Sequence, residues 1–266
     1  MKHLKVIVLI TMVIISIFLI YKVNSDLGTM VYNSENYHIR KYKDLVNIYD
    51  GKGEEIESFK IKGTVMDCAI GDINGDDFEE LIILTKRRFN SYGREIIIFK
   101  LASPIKEVYR KDLSDLKPWK VTIGDVDGDG RDEISIGVYK KTPLHQVMAK
   151  RPFIYYFEGN RLLPKWRGSR LSKPFDDYDF YDIDKDGVDE LVSIELLESG
   201  EKVINTYKWK GFGFEGFLQT EGFYNIEDLR VDGAYLFITV VEKEGRYQGK
   251  VKLKDNRLKI ERVYKE

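Results

Sequence analysis

The sequence predicts an all-β fold, a β-propeller of about five four-stranded blades, and three observations predict it. A nine-residue acidic segment occurs three times, beginning at Asp72, Asp125 and Asp182, a period of 53 and then 57 residues. Each copy is followed by short apolar runs set off by Gly, Asn and Pro, the spacing of strands rather than helices. Aromatic residues make up 13% of the chain, with 17 Tyr and 14 Phe against only 6 Pro, a mix that favours strands over disorder. Four antiparallel strands in a unit of about fifty residues is what a propeller blade requires.

The amino-terminal element is of another kind. Lys2, His3 and Lys5 precede an uncharged run, residues 6–21, whose only polar members are Thr11 and Ser16. As a helix it reaches about 24 Å, slightly short of a hydrocarbon core of about 30 Å. It therefore stands between a short membrane anchor and the core of a signal peptide, with Val23-Asn-Ser25 as a weak cleavage site. Residues 1–25 are read as one hydrophobic helix, a signal anchor or a cleaved signal peptide. Either puts the rest outside the cytoplasm, membrane-anchored or secreted, where calcium fills weak sites. The single cysteine, Cys68, excludes an intrachain disulfide and reads as a small buried residue of an apolar strand. Residues 26–40, polar and short of glycine signals, read as a stalk, and 41–266 as the propeller, whose first blade is either short or completed around residues 29–43.

The propeller opens with a hairpin, residues 45–50 and 55–61 alternating around Gly51-Lys-Gly53. The next unit has strands at 65–71, 81–84, 94–101 and 105–110. The following unit places them at 119–124, 134–139, 153–158 and 162–167, and the third at 178–181, 191–197, 202–210 and 214–220. From residue 224 the strands continue, at 235–240, 247–253 and 258–264, but Leu229-Arg-Val-Asp-Gly233 replaces the acidic segment. Trp119, Trp166 and Trp209 recur at blade-like spacing and read as packing residues.

The acidic segments are Asp72-Ile-Asn-Gly-Asp-Asp-Phe-Glu-Glu80, Asp125-Val-Asp-Gly-Asp-Gly-Arg-Asp-Glu133 and Asp182-Ile-Asp-Lys-Asp-Gly-Val-Asp-Glu190. Oxygen-bearing side chains at positions 1, 3, 5 and 9 converge around a cation, and hard oxygen ligands in a flexible loop suit calcium. An EF-hand is excluded, because position 12 falls on Ile83, Ile136 and Ser193. Plain acidic turns fit one copy better than three.

With the residues that precede them, Gly71-Asp-Ile-Asn-Gly-Asp, Gly124-Asp-Val-Asp-Gly-Asp-Gly and Tyr181-Asp-Ile-Asp-Lys-Asp-Gly, these segments resemble FG-GAP/VCBS-type repeats, the calcium-binding blades of integrin α-chain propellers and of many exported bacterial proteins. The resemblance covers residues 65–222 and implies up to three calcium ions. The implied ligands are Asp72, Asn74, Asp76 and Glu80; Asp125, Asp127, Asp129 and Glu133; and Asp182, Asp184, Asp186 and Glu190, with the carbonyls of Phe78, Arg131 and Val188 completing each shell. Two departures matter: Asp77 stands where glycine is usual, straining the turn or loosening the site, and Lys185 stands beside the third ligand set, weakening it.

In four-stranded blades the acidic loops share a face with the third-to-fourth connections, and the remaining connections lie on the opposite face. That opposite face receives Arg87, Arg88, Tyr92 and Arg94, then Lys140, Lys141, His145 and Arg151, and the link from Arg167 through Arg170 to Lys173. The expected molecule is polarised, with calcium loops on one side and a basic rim on the other that takes an anionic cell-surface polymer or protein. A formal net charge of −1 implies no bulk attraction to nucleic acid. The three histidines include His3 in the leader, and no nucleophile elbow, zinc motif or phosphate loop is present. The expected role is a non-catalytic binding, adhesion or scaffolding module. The alternative is a propeller lyase or hydrolase acting on cell-surface polysaccharide, with His145 and Tyr92 its first candidates.

Overall fold

A computed structural model describes residues 24–264 except 33, 34, 43 and 169. The chain forms a five-bladed β-propeller, each blade a four-stranded antiparallel sheet of consecutive strands. Blade one is β1 (Asn24–Tyr32), β2 (Glu35–Tyr42), β3 (Leu45–Tyr49) and β4 (Glu55–Lys60). Blade two is β5 (Thr64–Gly71), β6 (Glu80–Lys86), β7 (Glu95–Lys100) and β8 (Lys106–Asp112). A 3-10 turn at Ser114–Leu116 leads into blade three, which is β9 (Pro118–Gly124), β10 (Glu133–Thr142), β11 (His145–Glu158) and β12 (Arg161–Arg167). Blade four is β13 (Phe175–Tyr181), β14 (Glu190–Leu196), β15 (Lys202–Trp209) and β16 (Phe214–Gln219). Blade five is β17 (Asn225–Asp232), β18 (Tyr235–Glu242), β19 (Gly245–Lys254) and β20 (Arg257–Arg262).

The strands follow from where each sheet buries its side chains. Middle strands such as β6 (Leu81 to Leu84) and β7 (Ile96 to Ile98) are covered on both faces and read as continuous apolar runs. Outer strands such as β8 and β16 are mostly exposed. Among the described residues, four apolar cores lie between blades one and two, two and three, three and four, and four and five. The core between blades three and four gathers Trp119, Trp166 and Trp209 around Tyr178, Phe180 and Phe214, so the tryptophans are packing residues. Burying one leucine or isoleucine there contributes about 1.5–3 kcal/mol.

Two expectations are corrected. Residues 26–40 are not a stalk: they belong to β1 and β2, which complete the first blade. Among the described side chains of this stretch, Leu27 and Ile39 are the well-buried ones, so alternation is too sparse to announce two strands. Pairing and a bond from the Cys68 thiol to the Leu27 carbonyl, 3.2 Å, hold them. The stretch from Lys140 to Arg151 is not a long loop but the extended tip of the β10–β11 hairpin, turned by Pro143 and Leu144. The hydrophobic helix expected at residues 1–25 lies outside the described residues apart from the start of β1. No helix among the described residues is long and apolar enough to cross a membrane.

Candidate metal centres and the opposite basic face

Each acidic segment joins the first two strands of its blade, β5 to β6, β9 to β10 and β13 to β14. Position 1 shapes the turn. Asp125 accepts the backbone N–H of Gly128 at 2.7 Å through Oδ1 and that of Gly130 at 2.8 Å through Oδ2. Asp72 does the same for Gly75 and Asp77, and Asp182 for Asp186 and Gly187. Wrapping the backbone round one carboxylate puts positions 4 and 6 at positive φ: Gly128 and Gly130 in the second loop, but Lys185 (φ 64°) in the third and Asp77 (φ 63°) in the first. The strain expected at Asp77 is present, because a side chain there is disfavoured. Lys185, by contrast, lays its ammonium 4.2 Å from the centre of the Tyr181 ring rather than among the loop carboxylates.

Position 9 is the buried end of each loop. Glu80, Glu133 and Glu190 are almost inaccessible to solvent, and each accepts the N–H of position 2 through Oε2, at 3.3, 3.1 and 2.9 Å. The other oxygen turns inward. Single oxygens of Asp125, Asp127 and Glu133 lie within 4.8 Å of one another, as do those of Asp182, Asp184 and Glu190. In the first loop Asn74 takes the place of the second aspartate and donates to Glu80 Oε1 at 2.7 Å. Burial, reinforced by neighbouring aspartates, pushes Glu80 up to about 7, and burial does the same for Glu190.

Lysines from the third or fourth strand reach these oxygens, a feature the segments themselves do not announce. Lys165 contacts Asp127 and stands 2.7 Å from Glu133. Lys208 lies 2.7 Å from both Asp184 and Asp186 and 3.2 Å from Glu190. Lys100 contacts Asp76. Burial would lower the Lys208 ammonium, but the three carboxylates around it hold it well above the usual range. The cation beside the third ligand set is thus Lys208, not Lys185. Position 5 faces outward in part: Asp129 is held by Arg131 at 2.5 Å. The second and third donor sets could nonetheless hold a hard divalent cation, and the third shows unmet capacity. Asp184 Oδ1 is buried without a hydrogen bond, and Glu190 Oε1 makes none although Lys208 stands near it. The residues fit calcium.

Position 8, an acid in all three copies, joins blades in the second and third. The Asp189 N–H donates to the Asp125 carbonyl at 2.8 Å, and its carboxylate accepts the Asp125 N–H at 3.1 Å. The Asp132 N–H donates to the Asp72 carbonyl at 3.1 Å. Glycine before a loop permits this approach: a Cβ on Gly124 would lie 2.4 Å from Phe180, and one on Gly71 2.3 Å from Asp132. Tyr181 replaces that glycine where the next blade has no acidic loop. Burial and the neighbouring carboxylates push Asp132 up to about 7.

The opposite face receives most of the expected rim residues. Arg87 and Arg88 are exposed and line a groove of about 780 Å³ between blades one and two with Lys60, Lys62 and Lys86. Arg94 shares it but is paired with Asp112 at 2.9 Å. Tyr92 stacks on Tyr139, and Lys140 and Lys141 border a neighbouring hollow with Arg167. His145 and Tyr92 therefore have different partners, since the His145 ring meets Arg151 at 3.0 Å. Arg151 is a correction: it is fully buried. Its guanidinium donates to the carbonyls of Lys140 and Val147, each at 2.8 Å, and of His145 at 3.2 Å. It pins the hairpin tip and is closed to any partner.

No protein-family model matches the chain, and no curated protein matches it.

Proposed function

We propose that this protein is an extracytoplasmic calcium-binding propeller of the FG-GAP/VCBS type, acting as a non-catalytic binding or scaffolding module with an anionic partner on its basic face. The observation that carries the reading is the convergence of carboxylate oxygens on a buried glutamate at the second and third loops, with Asp184 Oδ1 buried and without a hydrogen bond at the third. A carboxylate cluster of this kind is stabilised by a divalent cation more than by one ammonium, since Coulomb energy scales with charge. The loops lie between blades and share hydrogen bonds across them, which supports a structural role for the ion. Binding is then left to the face where cations are exposed and unpaired. A pull-down from the native cell surface, with calcium and with chelator, tests the reading. Calcium-dependent recovery of an anionic surface component, lost on replacing Arg87 and Arg88 with Ser, is expected. Recovery that ignores both changes would overturn it.

A further inference from the structure

Three features of the basic face belong together. The first is where the chain enters. Asn24 pairs with Tyr42, Tyr42 with Leu45 and Leu45 with Lys60, one row across one end of blade one. The described chain, downstream of the uncharged run of residues 6–21, therefore enters the propeller at its basic end, in the row of Lys60. The second is unpaired charge. The side chains of Lys60, Lys62, Lys86 and Arg87 make no ion pair or hydrogen bond among the described residues, and Glu95 is the one carboxylate lining their groove. Glu95 is engaged by Arg110 at 3.2 Å. The third is apolar exposure at the tips of the same face. Phe89, in the turn from β6 to β7, is 91% exposed, and Leu144, at the β10–β11 tip, is 88% exposed.

We propose that this face docks on the surface of an anionic phospholipid bilayer, with the Phe89 and Leu144 tips entering the headgroup region. A soluble polyanion satisfies the cations but leaves both apolar tips in water. A bilayer interface takes apolar tips and the flanking cations together. Arg88 lies 5.5 Å from the centre of the Phe89 ring, so charge and apolar surface are presented side by side. Arg151 pins the hairpin that carries Leu144, so the tip is presented without ordering on contact. Docking leaves the acidic loops pointing away from the membrane, free of its negative surface potential. The inference rests on the extracytoplasmic binding-module reading and names its partner.

The test uses the full chain reconstituted in phosphatidylcholine vesicles with or without phosphatidylglycerol. A polarity-sensitive fluorophore is attached to Phe89→Cys, to Leu144→Cys, or to Phe212→Cys, an 88% exposed position on the acidic face. Cys68 stays in place, because its thiol is half-buried and pushed up to about 12 by burial and the nearby Asp67 and Asp26 carboxylates. Blue-shifted emission and quenching by a lipid-borne quencher are expected at 89 and 144 only in phosphatidylglycerol vesicles, and not at 212. Combining Lys62→Glu, Arg87→Glu and Arg88→Glu should abolish the signal, each lost cation lowering the docked fraction about fivefold. Probes at 89 and 144 that stay as aqueous as the one at 212, or survive the charge reversals, would overturn the proposal. Soluble polyphosphate separates the two readings. A response at 89 to polyphosphate but not to vesicles overturns membrane docking and keeps the anionic-partner reading, whereas silence to both overturns both.

Discussion

Lys208 touches three carboxylates of the third loop, two of them at 2.7 Å, and so holds part of the space a divalent ion needs. Replacing it with Met should tighten calcium binding at that loop roughly tenfold, about 1.4 kcal/mol. The same change should destabilise the calcium-free fold, since buried Glu190 loses the ammonium beside it, at about 1–3 kcal/mol. Calorimetric titration and chelated melting curves read the two effects, and weaker calcium binding would refute the competition. Asp77 at φ 63° is a second single-residue test. Asp77→Gly should raise stability by about 1 kcal/mol by relieving the left-handed backbone, and denaturant unfolding without metal would show it. The anomaly of Asp77 is legible in the sequence, because its two sister loops carry glycine at position 6. The lysines are not legible, since they arrive from other strands at no fixed spacing from their loops.

At the scale of elements, continuous apolar runs mark the middle strands and let most of blades two to four be read directly. The signal fails where burial is one-sided. β1 and β2 bury few of their described side chains and pass for a stalk, and the β10–β11 tip is polar and passes for a loop. That tip depends on Arg151, whose guanidinium satisfies carbonyls of Lys140, His145 and Val147 while fully buried. Arg151→Met fills similar volume without donors and leaves those carbonyls unmet. Hydrogen exchange should then speed up by at least tenfold across residues 140–150, while amides of β6 and β7 stay protected. Unchanged protection at the tip would mean that strand pairing alone holds it.

Across the whole molecule, carboxylates are concentrated where blades meet. Asp67 on β5 accepts the Val121 N–H of β9 at 2.9 Å, and burial, opposed by that bond and by Lys120, pushes it up to about 6. Asp189 is raised to about 6 as well, chiefly by burial. A carboxyl raised in the folded state binds its proton there more tightly than in the unfolded chain. Its contribution is full below about pH 4 and is lost as pH rises through about 6. Without calcium, stability should therefore fall from about pH 4 to about pH 7. Asp67→Asn, which keeps an acceptor for Val121, should flatten part of that slope in pH-resolved unfolding. Calcium favours the ionised loop carboxylates, so it should offset the fall at neutral pH.

The melting temperature at neutral pH, in excess calcium and in excess chelator, tests the metal-staple reading most directly. A site saturated at a hundredfold excess over its dissociation constant adds about 2.7 kcal/mol, and each kcal/mol moves a domain of this size by about 2–4 °C. The expected result is a rise of at least several degrees in calcium, reduced when Glu133 and Glu190 are both replaced by Gln. Identical melting curves in calcium and chelator, with no calcium bound to the purified protein, would contradict it.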